Sequence, residues 1–215
     1  MNRRQFLAAT GTLSVGTLAG CLSSDVAFVS PAQAYEWHQA DEARFVDTRS
    51  QSQYDHAHIT GAVFSPAPDG LEENDPVAAW DADTRIVTYC VCPTTLARQR
   101  GESLLDDGFS DVQGLDEGFE QWIEDGYPIE GSGVTERLPA HYIHGVSDRA
   151  HAGEYVWVRE PETDQREVSP IGADGTYELE FRFVDLSNET LLVIDAPDYT
   201  VEGTLAALTE GVVTG

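Results

Sequence analysis

The chain contains three cysteines, at positions 21, 90 and 92. Two of them stand where a thiol can do chemistry. Cys90 follows the apolar run Arg85-Ile86-Val87-Thr88-Tyr89 and opens the loop Val91-Cys92-Pro93-Thr94-Thr95, after which a helical pattern begins. At such a strand-to-helix turn the loop amides and the helix N-terminus point toward the cysteine. They stabilise a thiolate or a bound anion and lower the thiol pKa from its free value of about 8.5. Taken alone, the same residue equally fits a buried apolar cysteine at the end of a core strand. Cys92 adds a Cys-x-Cys pair, which can resolve a persulfide as a disulfide or act as a redox switch, although so tight a pair is sterically awkward as a disulfide. No motif supplies the further ligands that a metal would require, so neither a metal nor a cofactor is expected.

A second strand end lies at Phe45-Val46-Asp47-Thr48-Arg49, followed by Gln53 to Ala62 with His58 inside it. An Asp at a strand end commonly holds backbone amides and an Arg, so Asp47, Arg49 and His58 are read as supports of the fold. Around these positions, short apolar runs at 27–29, 44–47, 62–64 and 85–89 read as strands. Between them, Ser30 caps a helix with Pro31 at its first position, and 96–107 carries helical spacing at Leu96, Leu104 and Leu105. Alternation of this kind builds an α/β unit with a parallel sheet, whose chemistry gathers at the strand ends.

Asp47-Thr48-Arg49, the Tyr54 to Ala62 stretch, Tyr89-Cys90, and Gly118-Phe119-Glu120-Gln121-Trp122 with Gly126-Tyr127-Pro128 resemble, in order, the successive motifs of a rhodanese domain. The resemblance runs from about Ala27 to Glu130. It implies a central five-stranded parallel sheet with flanking helices, and a loop cysteine that takes sulfane sulfur from a donor and holds it as a persulfide. Cys90 is then the nucleophile, and the loop Val91, Cys92, Pro93, Thr94 and Thr95 cradles the transferred sulfur with its amides, as an oxyanion hole does. The pattern departs in three places. Pro93 replaces a loop glycine and removes an amide donor. Thr95 stands where many active members carry an arginine, and Asp116-Glu117 replace a glycine pair. A loop without basic residues suits a persulfide better than thiosulfate, and the missing arginine also counts against phosphatase chemistry.

Gly131-Ser132-Gly133 reads as a boundary, and beyond it the pattern changes to strands alone. Tyr177, Leu179, Phe181 and Phe183 interleave with Glu178, Glu180 and Arg182, the signature of a strand with one buried face. Further strands are expected over 140–146, 155–159, 191–194 and 199–205, with a turn at Asp174-Gly175. The expectation is a small all-β sandwich over 134–215, which resembles carboxypeptidase-regulatory or transthyretin-like domains. His141, His144 and His151 are read as surface or packed histidines, and Asn188-Glu189-Thr190 fits a glycosylation acceptor.

At the other end, Asn2-Arg3-Arg4-Gln5-Phe6-Leu7 and the uncharged stretch to Ala19 resemble a twin-arginine export signal, too short to cross a hydrocarbon core that asks for about 20 residues. Leu18-Ala19-Gly20-Cys21 matches a lipobox, so residues 1–21 are expected to be a lipoprotein signal, with Cys21 lipidated, the chain from 22 to 130 an exported domain, and the protein anchored at the outer membrane face. The 215 residues include 38 acidic and 12 basic side chains, a net charge of -26, and no lysine. That charge repels a phosphate backbone, which makes nucleic acid an unsuitable partner, and resembles the anionic surfaces of proteins from salt-loving archaea.

Three functions follow as expectations. One is a sulfurtransferase or persulfide carrier, whose partner is a small sulfane-sulfur donor, with the sandwich positioning Cys90 or binding a protein partner. The second is a silent fold used as a binding module, and the third a thiol redox sensor built on Cys90 and Cys92.

Overall fold

The computed structural model describes residues 26–91 and 95–215. The residues read as an export signal and lipobox, including Cys21, and the loop residues Cys92, Pro93 and Thr94 lie outside the described residues. The first half alternates strands and helices: β1 (Ala27–Val29), α1 (Pro31–Ala40), β2 (Arg44–Asp47), α2 (Gln51–His56), β3 (His58–Ile59), β4 (Val63–Phe64), β5 (Arg85–Tyr89), α3 (Thr95–Asp106), β6 (Asp111–Leu115), α4 (Gly118–Glu124) and β7 (Ile129–Glu130). Local chemistry sets the helix starts. The Ser30 hydroxyl accepts from the Gln33 amide with Pro31 at the first position, and Ser50 and Gln53 close a reciprocal capping box on α2.

The strands form a five-stranded sheet in the order β1-β6-β5-β2-β4, with every pair parallel. β5 lies at its centre, so Ile86 and Val87 are buried on opposite faces, as a central parallel strand requires. One face packs Tyr89, Phe119 and Trp122 with Val29, Phe45 and Leu115. The other packs Val46, Ile86 and Val112 against Leu104 of α3. β6 was not among the strands read from the sequence, since Asp111-Val112-Gln113-Gly114-Leu115 offers only two large apolar residues; here it is held between β1 and β5.

The second half comprises β8 (His141–Val146), β9 (Tyr155–Glu160), β10 (Gln165–Pro170), β11 (Thr176–Phe181), β12 (Leu191–Asp195), β13 (Thr200–Thr204), α5 (Leu205–Thr209) and β14 (Val212–Val213). A four-stranded sheet, β10-β9-β12-β13, and a three-stranded one, β11-β8-β14, share a core of Ile143, Val156, Val158, Leu179, Phe181, Leu192 and Ile194. One reading of this half is corrected, and one strand was not foreseen. The strand expected to run through Leu205 ends at Thr204, whose hydroxyl accepts from the Ala207 amide and starts α5, so the region is not made of strands alone. β10 was missed because Gln165-Arg166-Glu167-Val168-Ser169-Pro170 shows no apolar alternation. Its place comes from antiparallel pairing with β9 after a turn in which Asp164 takes a left-handed φ of 56°.

The segment between the halves is tied down. β7 pairs antiparallel with β3, Ser132 and Gly133 donate to the Asp55 and His56 carbonyls, and Arg137 pairs with Glu120. Among the described residues no helix is long and apolar enough to cross a membrane.

Candidate active site

Cys90 follows directly on β5, and the loop that it opens leads into the first turn of α3 at Thr95. Both residues are buried, with Cys90 1% exposed. From the first turn of α4, the Phe119 amide donates to the Cys90 carbonyl at 2.9 Å. Gly118 stands there with φ 67°, and a Cβ at this position would lie 2.7 Å from the Cys90 carbonyl oxygen and 2.9 Å from that of Val91. Only glycine meets both conditions, so α4 can approach the base of the loop as closely as it does.

The ion pair at the end of β2 sits beside this loop. Asp47 is fully buried and takes Arg49 in a two-pronged grip, Nε to Oδ1 at 2.9 Å and Nη2 to Oδ2 at 2.5 Å, while the Arg49 amide also donates to Oδ1. Nη2 donates further to the Ala57 carbonyl at 2.7 Å, and the guanidinium lies 4.3 Å over the Phe119 ring. Burial by itself would lower the Arg49 pKa, yet Asp47 outweighs it and holds the guanidinium more firmly protonated than usual. His58 stacks on Tyr54 and bonds to its carbonyl through Nδ1 at 2.7 Å, with Nε2 3.3 Å from Glu130. The structure thus brings Asp47 and Arg49 to the loop, whereas His58 ties α2 to β7.

The two arginines on α3 are engaged elsewhere. Arg98 lies 4.8 Å over the Phe28 ring, and buried Arg100 bonds to Ser65, Ser103 and Asp75. Neither replaces the arginine absent at position 95. In the second half, His144 pairs with Glu178, His151 pairs with Glu154, and His141 stacks on Phe181. Among the described residues no cluster of three or more potential ligands could hold a metal ion.

Sequence reasoning expected the second half to position Cys90 or to bind a partner, but missed the residues by which it reaches the site. Val168 of β10 is 1% exposed and joins Cys90, Ala67, Leu96 and Ala97 in one apolar cluster, with Trp157 packed against it. Val168 and Trp157 are cross-strand partners and share the face turned to the first half. On that face Arg166 donates to the Ala67 carbonyl at 2.7 Å, and nearby Gln53 donates to the Arg182 carbonyl at 3.0 Å. The one available signal was the Pro161-Glu162-Thr163-Asp164 turn, which implies a returning strand. Beside the loop, Val91, Phe119, Arg49, Val134, Leu138 and Arg182 line a cavity of about 260 Å³ between the halves.

Glu167, one residue before Val168, is also buried. Its Oε1 accepts from the Val168 amide, and its Oε2 has no hydrogen-bond partner among the described residues. Burial pushes this carboxyl up to about 8, against smaller opposing effects of the Val168 amide and Arg49.

A family model described as the rhodanese-like domain matches residues 30–125. The tRNA uridine(34) hydroxylase of Staphylococcus carnosus (strain TM300) is 32% identical over 104 residues, 46% of this chain and 32% of that protein. The chain therefore spans about a third of the length of the curated relatives it matches. Among solved structures, a thiosulfate sulfurtransferase from Pseudomonas aeruginosa is similar over 50% of this chain and 20% of its own, at 25% identity and a TM-score of 0.44. A polysulfide-sulfur transferase homodimer from Wolinella succinogenes is similar over 54% and 85%, at 22% identity and a TM-score of 0.41.

Proposed function

We propose that the rhodanese-like domain of this chain, which spans residues 30–125, is a sulfurtransferase or persulfide carrier in which Cys90 holds sulfane sulfur. The observation that carries this reading is the place of Cys90: at the end of the central strand, opening the loop into α3, with Gly118 leaving room for α4 against its carbonyl. The Cys90 thiolate attacks the outer sulfur of a small persulfide, R–S–SH. A Cys90–S bond forms, the donor S–S bond breaks, and the donor leaves as the thiolate R–S⁻. The product is a Cys90 persulfide that a second thiolate can relieve of its outer sulfur. With Arg49 held by Asp47 and Arg100 by Asp75, a persulfide suits the site better than thiosulfate.

We read residues 134–215 as a small β-sandwich that positions this site and offers exposed Tyr142, Leu191 and Val212 to a protein partner. The arginine pair, apolar stretch and lipobox before Cys21 support an exported protein anchored by lipid at the outer membrane face.

Burial of Cys90 against Val168 favours a second reading, a silent fold that serves as a docking module. Intact-mass measurement of the full chain in high salt, after exposure to a small persulfide, separates the two. Transfer adds one sulfur, about 32 Da, and loses that gain in Cys90→Ser. No added mass on a folded protein with its thiol reduced overturns the transfer reading and leaves the docking module.

A further inference from the structure

The second half reaches Cys90 with an apolar surface. Val168 and Cys90 belong to one buried cluster, and Trp157, paired with Val168 across β9 and β10, extends that surface along the start of α3. Arg166 anchors the same face to the Ala67 carbonyl. Two cations of the first half are already held: Arg49 by Asp47 and the Ala57 carbonyl, Arg100 by Asp75, Ser65 and Ser103. A charged group pressed against an apolar wall loses hydration on that side, which is costly.

We infer that Val168 and Trp157 are specificity-determining residues of the Cys90 site, an apolar wall that admits small sulfur donors with uncharged bodies and turns away thiosulfate and the cysteines of folded proteins. This inference rests on the reading of Cys90 as a sulfur carrier, and it assigns the second half a direct part in choosing the donor.

The test uses the full chain with Cys92→Ser, so that a single thiol of the loop is followed by peptide mass spectrometry. Iodoacetamide and iodoacetate deliver similar groups, one neutral and one anionic. The ratio of their rates at Cys90 is compared with the ratio for the same cysteine in the unfolded chain. The wall is expected to raise that ratio roughly tenfold in the folded protein. Val168→Ala and Trp157→Ala should each lower it at least about threefold by letting water reach the sulfur. Val168→Thr, which keeps the shape and adds a hydroxyl, serves if the alanine variant does not fold.

A folded-state ratio equal to the unfolded one, or one that the folded variants leave unchanged, overturns the inference. Sulfur loading distinguishes the two levels. Loading by thiosulfate as fast as by an alkyl persulfide sinks the wall and keeps the carrier. A selective alkylation ratio with no loading by either donor removes the carrier and leaves the wall as an exclusion device only.

Discussion

The Asp47–Arg49 pair shows what a buried charge does beside a reactive loop. Both side chains are almost wholly out of water and joined by two hydrogen bonds, with a third to the Ala57 carbonyl. Removing one partner leaves the other buried and uncompensated, so Asp47→Asn or Arg49→Ala should cost about 3–5 kcal/mol, read as a lower denaturant midpoint. Glu167 is the opposite case, a buried carboxyl without an ion-pair partner. Its folded pKa near 8 stands above the ordinary 4.5. Below 4.5 both states hold the proton and the group adds no pH dependence. Between 4.5 and 8 the unfolded chain has released the proton that the folded protein keeps, so stability falls as pH rises; above 8 the loss is complete. Glu167→Gln should flatten this decline in denaturation curves measured from pH 4 to 9. Of these residues, Asp47 and Arg49 were legible in the sequence as an Asp-x-Arg at a strand end. Glu167 was not, because a single Glu in a polar stretch carries no sign of burial.

At the scale of elements, the approach of α4 to the base of the loop depends on one glycine. Gly118→Ala meets two carbonyl oxygens and a left-handed φ at once. We expect a loss of about 1–3 kcal/mol, visible in thermal melts. The strands at 27–29, 44–47 and 85–89 and the helix from Leu96 were readable from apolar runs and capping residues alone. Edge and weakly apolar elements were not. β6 and β10 lack the alternation that marks a strand, and both owe their conformation to the neighbours with which they pair.

The whole molecule carries a charge of -26, borne largely by exposed Asp and Glu. Self-repulsion of this size opposes the compact state at low ionic strength. The melting temperature followed by circular dichroism should therefore rise from about 0.1 M to 2 M KCl, and a flat profile would refute the adaptation to salt read from composition. By itself the sequence determined that a cysteine ends a strand and opens a loop into a helix, and that an α/β half precedes a β-rich one. Those features follow from local spacing and from backbone preferences that act over a few residues. Only the tertiary structure decided what covers that cysteine. Val168 shares a buried cluster with it, and Trp157 packs against that cluster, because β10 folds back on β9 and docks beside α3, a contact between residues far apart in the chain that no local pattern encodes.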